Sequence, residues 1–391
     1  MKKNFSLLLF SLMLFSSLYM TFSPARIITV GIAFISVLYF ISFKNKILHF
    51  KTFPLLIMVL FAFSSFISSW KNGDLELLIG GVSLLILYLL LGLLIPNIYQ
   101  HSLMPKVHNG ILLSHILILV TSLILVRSIE YPFQGLFSNP NSMGILLTTI
   151  NVVLISSFWQ KVLENFTSDK KYTLKNLLLS FLMIIIIFYL TIQTGSRTSI
   201  SINMIIFFLP VPFILLRVAN KKGIIKTISI TILIIFTSFF TWNLIKLTPL
   251  YTSLLDIFYY KFYIKAQTGS LTSGRDGIWS RTLSESSLFG GGRDFFSLEV
   301  GIAGHNTFVS LLGQYGYIPT ILFLLFCLII LLYSFAYLVS KKDVPYRYLP
   351  FLITVSFFLF STMESMVYKT PMIALFIFAG LINSVRHKVS K

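Results

Sequence analysis

One stretch of this chain gathers most of the residues that could do chemistry. From Thr268 to Pro319 it reads TGSLTSGRDGIWSRTLSESSLFGGGRDFFSLEVGIAGHNTFVSLLGQYGYIP. Arg275, Arg281 and Arg293 supply cations, Asp276, Glu285, Asp294 and Glu299 supply acids, and His305 supplies a base. An arginine fork grips a phosphate through two parallel hydrogen bonds, which lysine does less well. A histidine titrates near neutrality and is the commonest general base. If Ser273–Trp279 (SGRDGIW) is helical, Arg275 and Trp279 stand four apart on one face. The plainer alternative is a surface Arg–Asp pair, which is worth little. For Gly304-His305-Asn306 the plainer alternative is a capping or packing histidine.

Two more segments have suitable residues. Gln193-Thr194-Gly195-Ser196-Arg197-Thr198-Ser199 reads as a tight turn between two apolar runs. A helix starting there would add the partial positive charge of its N-terminus to Arg197 and the Ser196 hydroxyl, an anion site suited to phosphate. The alternative is a hairpin turn with a snorkelling arginine. In Gly135-Leu136-Phe137-Ser138-Asn139-Pro140-Asn141-Ser142, either Asn139 or Asn141 can cap the helix that follows, or contact sugar hydroxyls. No His/Cys/Asp cluster has metal-ligand spacing, and there is no P-loop, G-x-G-x-x-G or G-x-S-x-G. Neither a metal nor a cofactor is implied.

The elements that must position these residues are membrane helices. Only 11% of the 391 residues are charged, against roughly 25% in soluble proteins, and the mean hydropathy is +0.88. Stretches long enough to span fall near 5–22, 27–43, 53–69, 75–95, 110–126, 141–158, 176–193, 199–216, 224–245, 317–339, 348–361 and 370–385. The segment 348–361 contains Pro350 and reads as a span or a re-entrant piece. The basic tip and apolar run at the start resemble a signal peptide, but no small-residue cleavage site follows, so it reads as an uncleaved first helix. The expected fold is an all-α polytopic integral membrane protein of about 12 transmembrane helices with one long extracytoplasmic loop. Its parts are helices 1 to 9 over 1–245, the loop over 246–316, and helices 10 to 12 over 317–391. The segment near 254–266, LLDIFYYKFYIKA, has the aromatic and basic mix of an interfacial helix.

Orientation follows from lysine and arginine in the loops. About two thirds of the 31 such residues fall on the side of the termini, which places both termini in the cytoplasm. Most of the net charge of +19 is therefore a topology signal and an attraction to anionic membrane lipid, and gives no support for nucleic acid. His49, His101, His108 and His387 fall on the cytoplasmic side and His115 within a span, which leaves His305 among the outer arginines.

Activated nucleotide sugars are cytoplasmic, so outer-face chemistry needs a donor carried in lipid. A polyprenyl diphosphate-linked glycan is such a donor, because its diphosphate leaves as a stable anion. Arginines to hold the diphosphate and one base to deprotonate an acceptor hydroxyl would suffice, and Arg197, Arg275 and His305 are those parts. They are expected to converge in one outer-facing cavity reached from the lipid.

Here the sequence resembles the O-antigen ligase and O-antigen (capsular polysaccharide) polymerase superfamily. The resemblance rests on GLFSNPNSMG at 135–144, QTGSRTS at 193–199, SGRDGIW at 273–279 and GHNTFVSLLGQYGYIP at 304–319, in that order, with the long outer loop. It implies an inverting, metal-independent glycosyltransferase in the bacterial inner membrane, using an undecaprenyl diphosphate-linked oligosaccharide. By position it makes His305 the catalytic base and Arg197 and Arg275 the diphosphate ligands. Arg281 is a further diphosphate candidate, and Ser196, Asn306, Asn141 and Trp279 are supporting residues. Two departures stand out: family members often have an acid at Gln314 and a glycine at Pro319, so no carboxylate at the first enters the mechanism. The expected product is a surface polysaccharide: O-antigen, capsule or exopolysaccharide. The alternatives are a ligase that transfers the glycan to another acceptor, a flippase for lipid-linked glycans, and a noncatalytic scaffold. A flippase would carry charge through mid-span, where His115 is the main instance. Separate flippase and chain-length regulator proteins are open as partners.

Overall fold

The computed structural model describes residues 2–19, 24–41, 52–99, 102–126, 129–167, 172–225, scattered positions between 227 and 263, 274–301, 304–340 and 344–381. All regular structure among these residues is helical. The helices are α1 (Lys2–Leu18), α2 (Pro24–Ile41), α3 (Thr52–Asn72), α4 (Leu75–Tyr88), α5 (Leu103–Val126), α6 (Pro140–Thr167) and α7 (Leu174–Gln193). They continue as α8 (Arg197–Phe208), α9 (Val211–Lys222), α10 (Arg275–Glu285), α11 (Thr307–Tyr315), α12 (Tyr317–Val339), α13 (Leu349–Ser361) and α14 (Thr370–Phe378). A π-helical stretch, Leu89–Leu94, carries α4 on to Tyr99.

Among the described residues, seven segments are long and apolar enough to cross a membrane: α3, Leu75–Tyr99, α5, α6, α7, Arg197–Lys222 and α12. Shorter apolar helices lie at Ser6–Leu18, Pro24–Leu38 and Leu349–Ser361. Seven such segments in one chain mark a multi-pass membrane protein. The apolar surface supports this: Leu174, Leu178, Leu182 and Ile186 form an exposed stripe along α7 at four-residue spacing. In water a stripe of this kind is a liability; in lipid it is the ordinary outer face of a span.

Two expected spans differ in detail. The run 199–216 is interrupted at Pro210, where α8 ends and α9 begins. Proline has no N–H to donate and its ring clashes with the preceding turn, and Pro212 sits at the start of α9. The run around Pro350 forms one 13-residue helix, α13, with that proline in its first turn. At 1.5 Å per residue it reaches roughly 20 Å, short of the roughly 30 Å hydrocarbon core. The expected span 224–245 and the expected interfacial helix 254–266 lie mostly outside the described residues, and 370–385 is described only to residue 381.

The chain divides into two compact units. The first joins Met1–Val120 to Arg275–Lys391, and the second is Thr121–Gly274. In the first, α3 packs against α4 and α12, while α13 lies against α12 and α14. His115 is satisfied there: its Nε2 meets the Ser17 hydroxyl at 3.1 Å and its Nδ1 meets the Ile111 carbonyl at 2.8 Å. Ser17 in turn bonds Thr370 at 2.7 Å, so this polar network ties α1, α5 and α14 together. In the second unit α6 is the core helix, with 78% of its span buried against 28% for α7.

Candidate functional site

In the first unit the site grows from α10. Its first residue, Arg275, is half-buried and points at the turn between α13 and α14. One guanidinium nitrogen donates to the Met363 carbonyl at 2.7 Å. The other lies 3.8 Å from the Glu364 carboxylate, beyond hydrogen-bond length. One turn further along, the Trp279 indole N–H donates to the Gly304 carbonyl at 3.0 Å. The expected face of Arg275 and Trp279 is thus a real one, and it grips both the turn and the residue before His305.

His305 is clamped on both sides. Trp279 fixes Gly304, and Asn306 caps α11, accepting from the N–H groups of Phe308 at 2.9 Å and Val309 at 3.1 Å. The Asn306 amide also donates to the Thr362 carbonyl at 3.3 Å. Between these anchors His305 has φ 45°, the left-handed region that a non-glycine residue rarely adopts. Backbone strain of that kind persists only where the surroundings over-determine it. Among the described residues the His305 ring has no hydrogen-bond partner, and the side chain is half-exposed. Thr307 completes the seam, donating to the Glu364 carbonyl at 3.1 Å and accepting from Met366 N–H at 2.9 Å.

Arg281 stands apart from this seam. It is exposed, six residues after Arg275, and therefore about 120° round the helix from it. Arg293 is also exposed, and its backbone N–H donates to Asp74 at 2.7 Å. The glycine run ahead of it is a close backbone splice. Gly291 N–H donates to the Gly313 carbonyl at 2.9 Å and Gly292 N–H to the Gln314 carbonyl at 3.2 Å. A Cβ on Gly290 would collide with the Gln314 backbone, and one on Gly316 would collide with Gly290. This splice seats α10 and its loop on the α11–α12 junction. Gln314 takes part through its backbone carbonyl, and Pro319 is buried in the first turn of α12.

The turn from Thr362 to Lys369 was not singled out in the sequence, yet it is the seam's other half. Its charged residues, Glu364 and Lys369, are both partly buried. Burial holds the Lys369 ammonium below the usual lysine range, with the charge of Glu364 opposing. Next to it, Tyr368 is covered by Arg26 at 5.5 Å from the ring centroid, and Arg26 pairs with Glu76 at 3.1 Å.

The second unit carries the other two segments. Ser196 caps α8: its hydroxyl accepts from Ser199 N–H at 3.4 Å and donates to the Ser199 hydroxyl at 3.0 Å. Arg197 is the first residue of α8 and is half-exposed. Asn139 is the cap of α6, accepting from Asn141 N–H at 2.8 Å, and Asn141 lies half-exposed in the first turn. The two segments are packed together. Phe133 N–H donates to the Gln193 carbonyl at 2.8 Å, and a Cβ on Gly144 would sit 2.5 Å from the Ser199 hydroxyl. Below them Asn203 donates to Thr148 at 2.8 Å and accepts from Asn151 at 2.7 Å, which ties α6 to α8.

The four segments thus assemble pairwise, two within each unit. The chain matches no protein-family model, and compared with curated proteins it has no significant match.

Proposed function

We propose that this protein is a membrane glycosyltransferase that joins polyprenyl diphosphate-linked oligosaccharide repeat units into a surface polysaccharide. It works on the outer face of a bacterial cell membrane, with both termini in the cytoplasm and about 12 spans. His305 takes the proton from the acceptor hydroxyl. The acceptor oxygen then attacks the anomeric carbon, the bond to the diphosphate breaks, and the configuration inverts. Arg275 holds the diphosphate as it leaves with its charge increasing, where preorganised cations matter most; for Arg197 the same role rests on its sequence motif. Arg281, exposed on another face of α10, contributes through longer-range attraction. Asn306 and Trp279 hold His305 in place, Ser196 holds Arg197 at the head of α8, and Asn141 faces the sugar. Transfer to a different acceptor by the same chemistry would make the protein a ligase.

The observation that carries this reading is the seam around His305. A histidine in a strained backbone conformation, pinned by a tryptophan and an asparagine, with the half-buried Arg275 on the same helix as that tryptophan, suits a general base better than a packing residue. The test is to size the lipid-linked and surface glycans of cells lacking the gene. Single repeat units building up on lipid, with long chains lost, are expected of a polymerase. Full-length chains stranded on lipid would identify a ligase instead. Unchanged surface polymer would remove both.

A further inference from the structure

We propose that Lys369 is a further contact for the donor's diphosphate, with Glu364 as the counter-charge that occupies the site when no donor is bound. The inference rests on the glycosyltransferase reading for the identity of the anion, and on geometry for the site.

Five other described cations of the first unit are accounted for by their partners or their exposure. Arg26 is paired with Glu76 at 3.1 Å and covers Tyr368. Lys71 donates to the Ser287 hydroxyl at 3.0 Å. Arg281 and Arg293 are exposed. Arg347 is buried and donates to the Leu338 carbonyl at 3.0 Å. Lys369 differs from all of these. It is partly buried, and among the described residues no hydrogen-bond acceptor reaches its ammonium. It also stands at the N-cap of α14, where a helix carries partial positive charge and a cation is unwelcome. A lysine in that position costs stability without a visible return.

The nearby acid does not resolve it. Glu364 faces Arg275 at 3.8 Å and acts on Lys369 through its charge, so one carboxylate serves two cations and hydrogen-bonds neither. Arg275 is oriented by the Met363 carbonyl instead. The set carries a net positive charge, in a turn whose backbone is fixed by Asn306 and Thr307. An anion with several acceptor oxygens would satisfy both cations at once. A diphosphate has that number of oxygens, and Glu364, which faces Arg275 at 3.8 Å and acts on Lys369, is the charge it would replace. Glu364 then has a second effect: it weakens the grip on the departing diphosphate, which favours release of the product.

The shared chemistry is a phosphate-bearing lipid, and its source is either the donor or the bulk phospholipid. The experiment measures binding of undecaprenyl diphosphate to the purified full-length protein in detergent, by thermal shift. A competition arm uses phosphatidylglycerol. Lys369→Met is expected to weaken diphosphate binding about tenfold or more, the scale of a lost charge-assisted bond. Lys369→Arg is expected to restore most of it. Glu364→Gln should tighten binding several-fold, an increase that a merely structural role does not produce. Unchanged binding by Lys369→Met, or no tightening by Glu364→Gln, overturns the proposal, and the second variant keeps it testable if the first does not fold. Equal competition by phosphatidylglycerol overturns the assignment to the donor. Failure here is distinct from failure of the glycosyltransferase reading. If Lys369→Met polymerises glycan with an unchanged KM for the donor, Lys369 is dismissed and the enzyme stands. If the wild type binds diphosphate through Lys369 yet cells lacking it make normal polymer, the enzyme is dismissed and the anion site stands.

Discussion

At the residue scale, Arg275 is defined by the fork of its guanidinium. One nitrogen reaches the Met363 carbonyl while the other faces Glu364. Lysine keeps the charge but offers a single point, so it cannot do both. Arg275→Lys is therefore expected to lose most polymer synthesis, by about tenfold or more, measured as chain length on a gel of surface glycan. Equal activity would argue against a diphosphate clamp. Trp279→Phe keeps the ring but removes the N–H that holds Gly304. It should slow turnover while leaving donor affinity nearly unchanged, because the effect passes through the placement of His305. A raised KM with an unchanged kcat would place Trp279 in donor binding instead.

At the element scale, two features hold the site, and they differ in how far the sequence reveals them. The Arg275–Trp279 face was legible from four-residue spacing alone, and so were candidate caps at Asn139 and Asn141. Which asparagine caps was not legible, since either type fits; the structure gives the role to Asn139. The seam to Thr362–Lys369 was also hidden. Its bonds join residues 56 to 88 positions apart in the chain, and no periodicity connects them. The only sign was an acid and a base, Glu364 and Lys369, in a short loop between apolar runs. The glycine run was visible as a motif, but its role as a backbone splice depends on distances that only the fold supplies. Gly316 has φ 95° and no room for a Cβ. Gly316→Ala is expected to destabilise the protein by about 2 kcal/mol or more, read as a fall in the detergent-solubilised Tm. Ser196→Ala, which removes a cap and a bond to the Ser199 hydroxyl, should cost about 1 kcal/mol. A Gly316→Ala protein as stable as wild type would show that the splice is not required.

At the scale of the whole molecule, the membrane character was the most legible property, because it is written in hydropathy summed over many residues. The orientation is a proposal from loop charge, and the lone cysteine makes it simple to test. Cys327 is fully buried, so it gives little background to a membrane-impermeant thiol reagent. A cysteine placed at the exposed Ser280 should label in intact cells, while one at Lys3 should label only after lysis; the reverse pattern would invert the topology and move the site to the cytoplasm. The central claim is that this outer-face seam transfers glycan with His305 as base. Its most direct test is the glycan content of cells whose only copy carries His305→Ala. The variant protein should reach the membrane in normal amount, single repeat units should accumulate on the carrier lipid, and long polymer should disappear. Polymer of normal length and amount from that variant would contradict the account.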